Sequence, residues 1–232
     1  MKLNLRQKVL LSIGVVAGIA ALAGAGTFAT FTAQTSNPTN TFANGTLVLS
    51  NQVGGNTACL STGGGTTDVN DHTCDTLFSL SVKAPGDSST ADLTLKNEGS
   101  LGASALEVFS AACTDANAAG ENFHGTGSPC GKVQFYVQQY SDDTFTTPSA
   151  CLYGGSPDAG VSCDFSDAAK TLSAFVSAYP DVDHGLDAGP LTKVSGAAPS
   201  TWIRVGVKLP DDADNTYQGR SASLALNWHI TQ

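Results

Sequence analysis

The residues with the clearest chemical potential are six cysteines, Cys59, Cys74, Cys113, Cys130, Cys151 and Cys163. None falls in a C-x-x-C pair, so neither zinc-ribbon spacing nor a thioredoxin-like redox motif is present. An even number of cysteines behind an export leader reads as a set of disulfides. Sequential pairing is expected, Cys59 with Cys74, Cys113 with Cys130 and Cys151 with Cys163, because each bridge then closes a stretch rich in Gly, Ser, Asn and Asp. The stretch LSTGGGTTDVNDHT, between the first two, has almost nothing apolar to bury. A crosslink over a loop of that length contributes about 3 kcal/mol by restricting the unfolded chain.

Catalytic chemistry is harder to find. The four histidines are followed by Thr73, Gly125, Gly185 and Ile230, so no H-E-x-x-H helix can form, and no Ser stands in G-x-S-x-G. The histidines read as loop or edge positions, with a triad drawn from distant residues left open. DDADN at 211–215 and DVDHG at 181–185 place carboxylates two residues apart, a spacing hard calcium favours, yet neither continues to the Glu that closes an EF-hand loop. Acidic turns are the expectation, with no metal and no other cofactor assigned, and the chain reads as a non-enzyme. Asn44-Gly45-Thr46 matches a glycosylation sequon at the start of an expected strand.

The elements that must carry these residues begin with a leader. Lys2, Arg6 and Lys8 form a positive n-region, Val9 to Ala23 is free of charge, and Gly24, Ala25 and Gly26 follow. This is the order of a secretory signal peptide over residues 1–30. The alternative is a permanent anchor, since the apolar stretch extended through Phe31 reaches about 20 residues. Cleavage leaves 8 basic and 20 acidic residues, moving the formal charge from -9 to -12. Such a surface repels phosphate backbones and anionic lipid heads, arguing against nucleic acid and peripheral membrane partners. With cleavage no stable membrane span remains.

The rest of the 232 residues, with 41% apolar and 13% charged, can bury one core of ordinary size, so a single domain over 42–232 is expected. LFSLSVK puts Phe78, Leu80 and Val82 on one face, and KVQFYVQQY puts Val133, Phe135 and Val137 opposite Gln134, Tyr136 and Gln138. WIRVGVKL alternates Ile203, Val205, Val207 and Leu209 against Arg204 and Lys208, and SASLALNWHI aligns Ala222, Leu224, Leu226, Trp228 and Ile230. With TLVLS, ADLTLKN and ALEVFSA, these half-buried runs predict seven or eight strands between turns such as APGD and LPDDADN. An all-β, antiparallel, jelly-roll-like β-sandwich suits that pattern. SDAAKTLSAFVSAYP breaks it: Leu172, Phe175, Val176 and Tyr179 fall at helical spacing between a Ser166 or Asp167 cap and Pro180, predicting one short helix in an insertion that lids one end.

Three blocks carry a resemblance: GAGTFATFT followed by NTFANGTLVLS, then VKAPGDSSTADLTLKNEGSLGASALEV with its PGD and N-x-G-S turns, and the closing NTYQGRSASLALNWHITQ. They occur in the order found in the TasA/camelysin family of secreted surface and biofilm-matrix proteins, which this chain resembles over about 75 residues. The resemblance implies a jelly roll exported to the cell surface or matrix, a mature chain beginning near Phe31, and partners that are other copies or other matrix proteins. Some relatives form fibres by lending an N-terminal strand to a neighbour. The six cysteines and the long stretch from Cys113 to Pro199 depart from simple members.

The residues support strand lending independently. No Asp, Glu, Lys or Arg occurs from Val9 to Thr67, and charge is what normally protects an exposed edge from pairing. Residues 31–41 therefore read as a donor strand or a flexible tail, with Phe31, Thr32, Ala33 and Phe42 as assembly residues, the two aromatic rings filling pockets. Three readings stay open: a structural fibre or matrix subunit, a monomeric cell-surface module binding glycan or protein, and a camelysin-like secreted metallopeptidase, the last lacking any zinc-ligand helix.

Overall fold

Alternation along one strand organises the molecule. In β9 (Ser200–Lys208) Ile203, Val205 and Val207 are buried while Trp202, Arg204 and Lys208 face outward. Its neighbours are β3 (Ser88–Asn97), with Leu93 opposite Ile203, and β6 (Gln134–Tyr140), with Val137 opposite Val205. β1 (Leu49–Val53) and β2 (Cys59–Leu60) extend this sheet beyond β3, and β7 (Pro148–Tyr153) extends it beyond β6, giving the antiparallel order β2-β1-β3-β9-β6-β7. The structure, a computed structural model, describes residues 45–63, 84–155, 161–192 and 199–232. The expected strand through Phe78, Leu80 and Val82, the leader and the 31–41 segment lie outside the described residues. Those described belong to one unit that begins at Asn44.

A second layer covers the inner face. β4 (Ala105–Phe109) pairs with β11 (Asn227–Thr231) and with β8 (Leu186–Asp187), while β5 (Cys113–Asn117) pairs with β10 (Arg220–Leu224). Cys113 faces Leu224 and Phe109 faces Asn227, so three residues, Ser110 to Ala112, oppose two, Ala225 and Leu226. The pairs therefore form one ribbon with a bulge, which bends it around the core. Ala222, Leu224, Leu226, Trp228 and Ile230 pack from this ribbon against the core to which Leu93, Leu95, Phe135 and Ile203 belong. The chain crosses between layers after β3, β5, β7, β8 and β9, the all-β sandwich that periodicity predicts.

The helical insertion is present, with a different cap. α1 is an unanticipated single turn (Pro129–Lys132) capped by Ser128, and α2 runs over Leu172–Ala178. Thr171, rather than Ser166 or Asp167, caps α2 by accepting from the Ala174 N–H at 3.3 Å. Ser166 and Asp167 instead lie in preceding turns: the Asp164 carboxylate accepts from the Ser166 amide, and the Asp167 carboxylate from that of Ala169. Leu172 and Phe175 enter the core, where Phe175 meets Phe135 at 5.0 Å, Tyr153 at 5.1 Å and Tyr179 at 5.2 Å between ring centroids. Burial among these rings pushes the Tyr153 phenol up to about 12. The helix ties both layers, through Leu172 N–H to Val133 C=O in front of β6 and Ser110 N–H to Tyr179 C=O at the bulge.

The N-x-G-S turn after β3 has a local cause. Asn97, fully buried, donates to Leu101 C=O at 2.7 Å and accepts from Gly99 N–H at 3.1 Å. A Cβ on Gly99 would stand 2.1 Å from the Thr46 carbonyl oxygen, so only glycine lets the incoming chain at 45–48 lie against this turn.

Candidate functional site

Two of the expected disulfides are formed, Cys113–Cys130 with Cα atoms 5.9 Å apart and Cys151–Cys163 at 4.9 Å. Cys59 is disulfide-bonded as well, and its expected partner Cys74 lies outside the described residues. The first bridge fixes α1 to β5, where Asp115 accepts from Cys130 N–H at 2.8 Å and from the Ser128 hydroxyl. Such bonds mark a chain that matures in an oxidising environment. Among the described residues no helix is long and apolar enough to cross a membrane.

The Cys151–Cys163 bridge holds residues 161–170 over the outer face of β6, which corrects the expectation that this strand is half-buried. Gln134, Tyr136 and Gln138, read as its solvent face, are 5%, 8% and 2% exposed. Gln138 donates to Ala150 C=O at 2.7 Å and Val161 C=O at 2.9 Å and accepts from Cys163 N–H; Gln134 donates to Phe165 C=O at 2.8 Å. Tyr136 lies 5.0 Å from the Phe165 ring, and burial pushes its phenol up to about 12. Amide side chains satisfy the polar backbone of the flap without burying a charge.

Beside the flap, Arg204 donates to both Asp92 oxygens at 2.6 and 2.9 Å and to the Tyr140 hydroxyl at 3.1 Å. Its guanidinium sits 5.0 Å from the Tyr140 ring and 5.7 Å from that of Phe145, and the Asp92 hydrogen bonds raise its pKa further. Phe145 has φ of 54°, the left-handed region that L side chains disfavour. Asp142 holds it there by accepting from Thr144 N–H and O–H, Thr146 N–H and O–H and Thr147 N–H, which keeps the Asp142 carboxyl well below the usual range.

The edges of the sheets differ. β2 has two residues, and β7 begins at Pro148, has register shifts against β6 and is stapled to the flap. These are the devices that blunt an edge. β10 and β11 end their strand orders, so among the described residues their second edge is unpaired. From Ser221 to Thr231 there is no Asp, Glu, Lys, Arg or Pro. The sequence-predicted assembly residues Phe31, Thr32, Ala33 and Phe42 lie outside the described residues, so their relation to this edge is a matter for proposal.

The remaining candidates are used locally. Asp181 accepts from His184 N–H and pairs with its ring at 2.7 Å, which lowers the carboxyl and raises the imidazole. Asp211 pairs with Lys208, Asp212 with Lys132, and Asp214 accepts from Thr216 N–H, so DDADN spreads its carboxylates over three partners. His124 contacts the Gly219 carbonyl, and His229 lies 3.7 Å from Glu107; His72 is outside the described residues. Among the described residues no three His, Cys, Asp or Glu gather as a metal site. No protein-family model matches this chain, and no curated protein does.

Proposed function

We propose that this chain is a secreted structural subunit of an extracellular fibre or biofilm matrix, which assembles when residues 31–41 of one copy pair along the β10–β11 edge of the next. The observation that carries the reading is that edge, unpaired among the described residues and uncharged over eleven residues from Ser221 to Thr231, in a chain whose 31–41 segment is equally long and equally uncharged. Backbone hydrogen bonds along such an edge supply affinity, and alternate side chains supply register. The contact is head-to-tail and does not close, so it propagates. Disulfides suit export, and the resemblance to TasA/camelysin proteins points the same way. The reading assigns no catalytic role.

Deleting residues 31–36 tests it. The expected product is a folded monomer by light scattering and negative-stain microscopy, with circular dichroism unchanged. Phe31→Asp is expected to act similarly, because a carboxylate would have to enter an apolar groove. Undiminished filaments in both variants, or loss of β signal on deletion, would overturn the reading.

A further inference from the structure

The geometry points to a binding platform for an uncharged, extended glycan chain on the outer face of the large sheet. Register places Gln52, Thr94, Trp202 and Tyr140 in one row across β1, β3, β9 and β6. Adjacent strands stand about 4.8 Å apart, close to the length of one pyranose ring, so a glycan lying across the strands sets successive rings over successive side chains. Gln52, Thr94 and Trp202 are partly exposed, whereas Tyr140 is buried and ends the accessible part of the row.

The two tryptophans show what is unusual here. Trp228 packs against the core, and its indole N–H is buried without a partner. Trp202 stands in the outward row of β9, where its indole N–H is neither buried nor hydrogen-bonded among the described residues. The Thr94 hydroxyl beside it has no partner there either, and Gln52, whose NH2 donates to Asn56 C=O at 2.8 Å, keeps its carbonyl oxygen available. A flat aromatic face bordered by neutral donors and acceptors fits the C–H face and hydroxyls of a sugar.

Other ligand classes fit less well. Arg204 is already neutralised by Asp92 and the chain carries net -9, so an anionic polymer meets net repulsion that Lys96 alone, two positions from Thr94 on the same side of β3, does not offset. A purely apolar ligand would leave the indole N–H and the Thr94 hydroxyl unpaired, and an extended peptide pairs at an edge rather than on a face. Phe145, held at positive φ against Tyr140 and Arg204, walls one end of the row; strain of this kind persists where the surroundings enforce it. The platform lies on a different sheet from β10 and β11 and does not rest on strand donation.

Affinity electrophoresis through gels containing mixed-linkage β-glucan, mannan or xylan tests the inference, with polygalacturonate as the anionic arm. The full chain is expected to be retarded by at least one neutral polymer and not by polygalacturonate. Trp202→Ala should bind roughly tenfold more weakly, as loss of a stacking face predicts. Thr94→Glu, at a hydroxyl without a partner, should weaken binding while preserving the fold, and it decides the matter if Trp202→Ala unfolds. Retardation by no neutral polymer, retardation by polygalacturonate alone, or native-strength binding by a folded Thr94→Glu protein would overturn the inference.

Discussion

β6 and the β10–β11 ribbon look alike as sequence and end in opposite situations. Both alternate apolar with neutral polar residues, and charge is absent from all of β6 and from Ser221 to Thr231 of the ribbon, which opens on Arg220. β6 is covered on both faces, its second face by a flap that Cys151–Cys163 holds and Gln134 and Gln138 hydrogen-bond. β10–β11 keeps an edge that no described residue pairs. Absence of charge marks a surface destined for cover, while the source of the cover, an insertion in one case and a proposed neighbour in the other, depends on the rest of the chain.

The largest effect separating the two regions is expected from Phe175→Ala. It empties the aromatic cluster on the inner face of β6, opposite the flap, and should cost about 3–5 kcal/mol in urea unfolding. The residues of the β10–β11 edge stand outside that ring cluster, so the surviving folded fraction should still assemble. Replacing Cys151 and Cys163 together by Ser should follow at about 3 kcal/mol, since the bridge closes a loop with a sequence separation of 12. Hydrogen exchange should then rise at position 163, whose backbone amide donates to the Gln138 side chain. Gln138→Leu keeps the bridge but removes the side-chain partner of the Cys163 amide and of the Ala150 and Val161 carbonyls, an expected loss of about 1–3 kcal/mol. An unchanged unfolding midpoint in that variant would mean that the flap contributes little to burying β6.

Much of this contrast was legible in the sequence, and what escaped has physical reasons. Alternation located β3, β4, β9 and the β10–β11 ribbon because each has one buried face. The same alternation misled at β6: a period of two identifies a first buried face and is silent about a second. The total lack of charge in QFYVQQY was the available signal. Thr171 immediately precedes Leu172, the first residue of the helical spacing, and that adjacency outweighs the better capping types Ser166 and Asp167 further upstream. The Asp92–Arg204 pair spans 112 positions and becomes visible only once register sets β3 beside β9. The bulge at Ser110–Ala112 has no Gly or Pro to announce it.

The smallest effect is electrostatic. The Asp142 carboxyl is held low by hydrogen bonds from Thr144, Thr146 and Thr147. A depressed acid contributes stability above its unfolded pKa of about 3.9 and loses it as pH falls through the lower folded value. The 142–147 turn should therefore stay ordered through mild acid and loosen only below the ordinary carboxylate range. An NMR titration of the Asp142 side-chain carbon checks this, and a midpoint at the ordinary value would show that the turn does not hold Phe145.

Hydrogen exchange on assembled material tests strand donation most directly. Backbone amides between Ser221 and Thr231 that point away from β4 and β5 should exchange quickly in the monomer lacking residues 31–36 and become protected in filaments of the mature chain. Ala225→Lys, at an exposed position between β10 and β11, should leave the monomer folded and prevent the protection. Filaments in which those amides exchange as fast as in the monomer would contradict it.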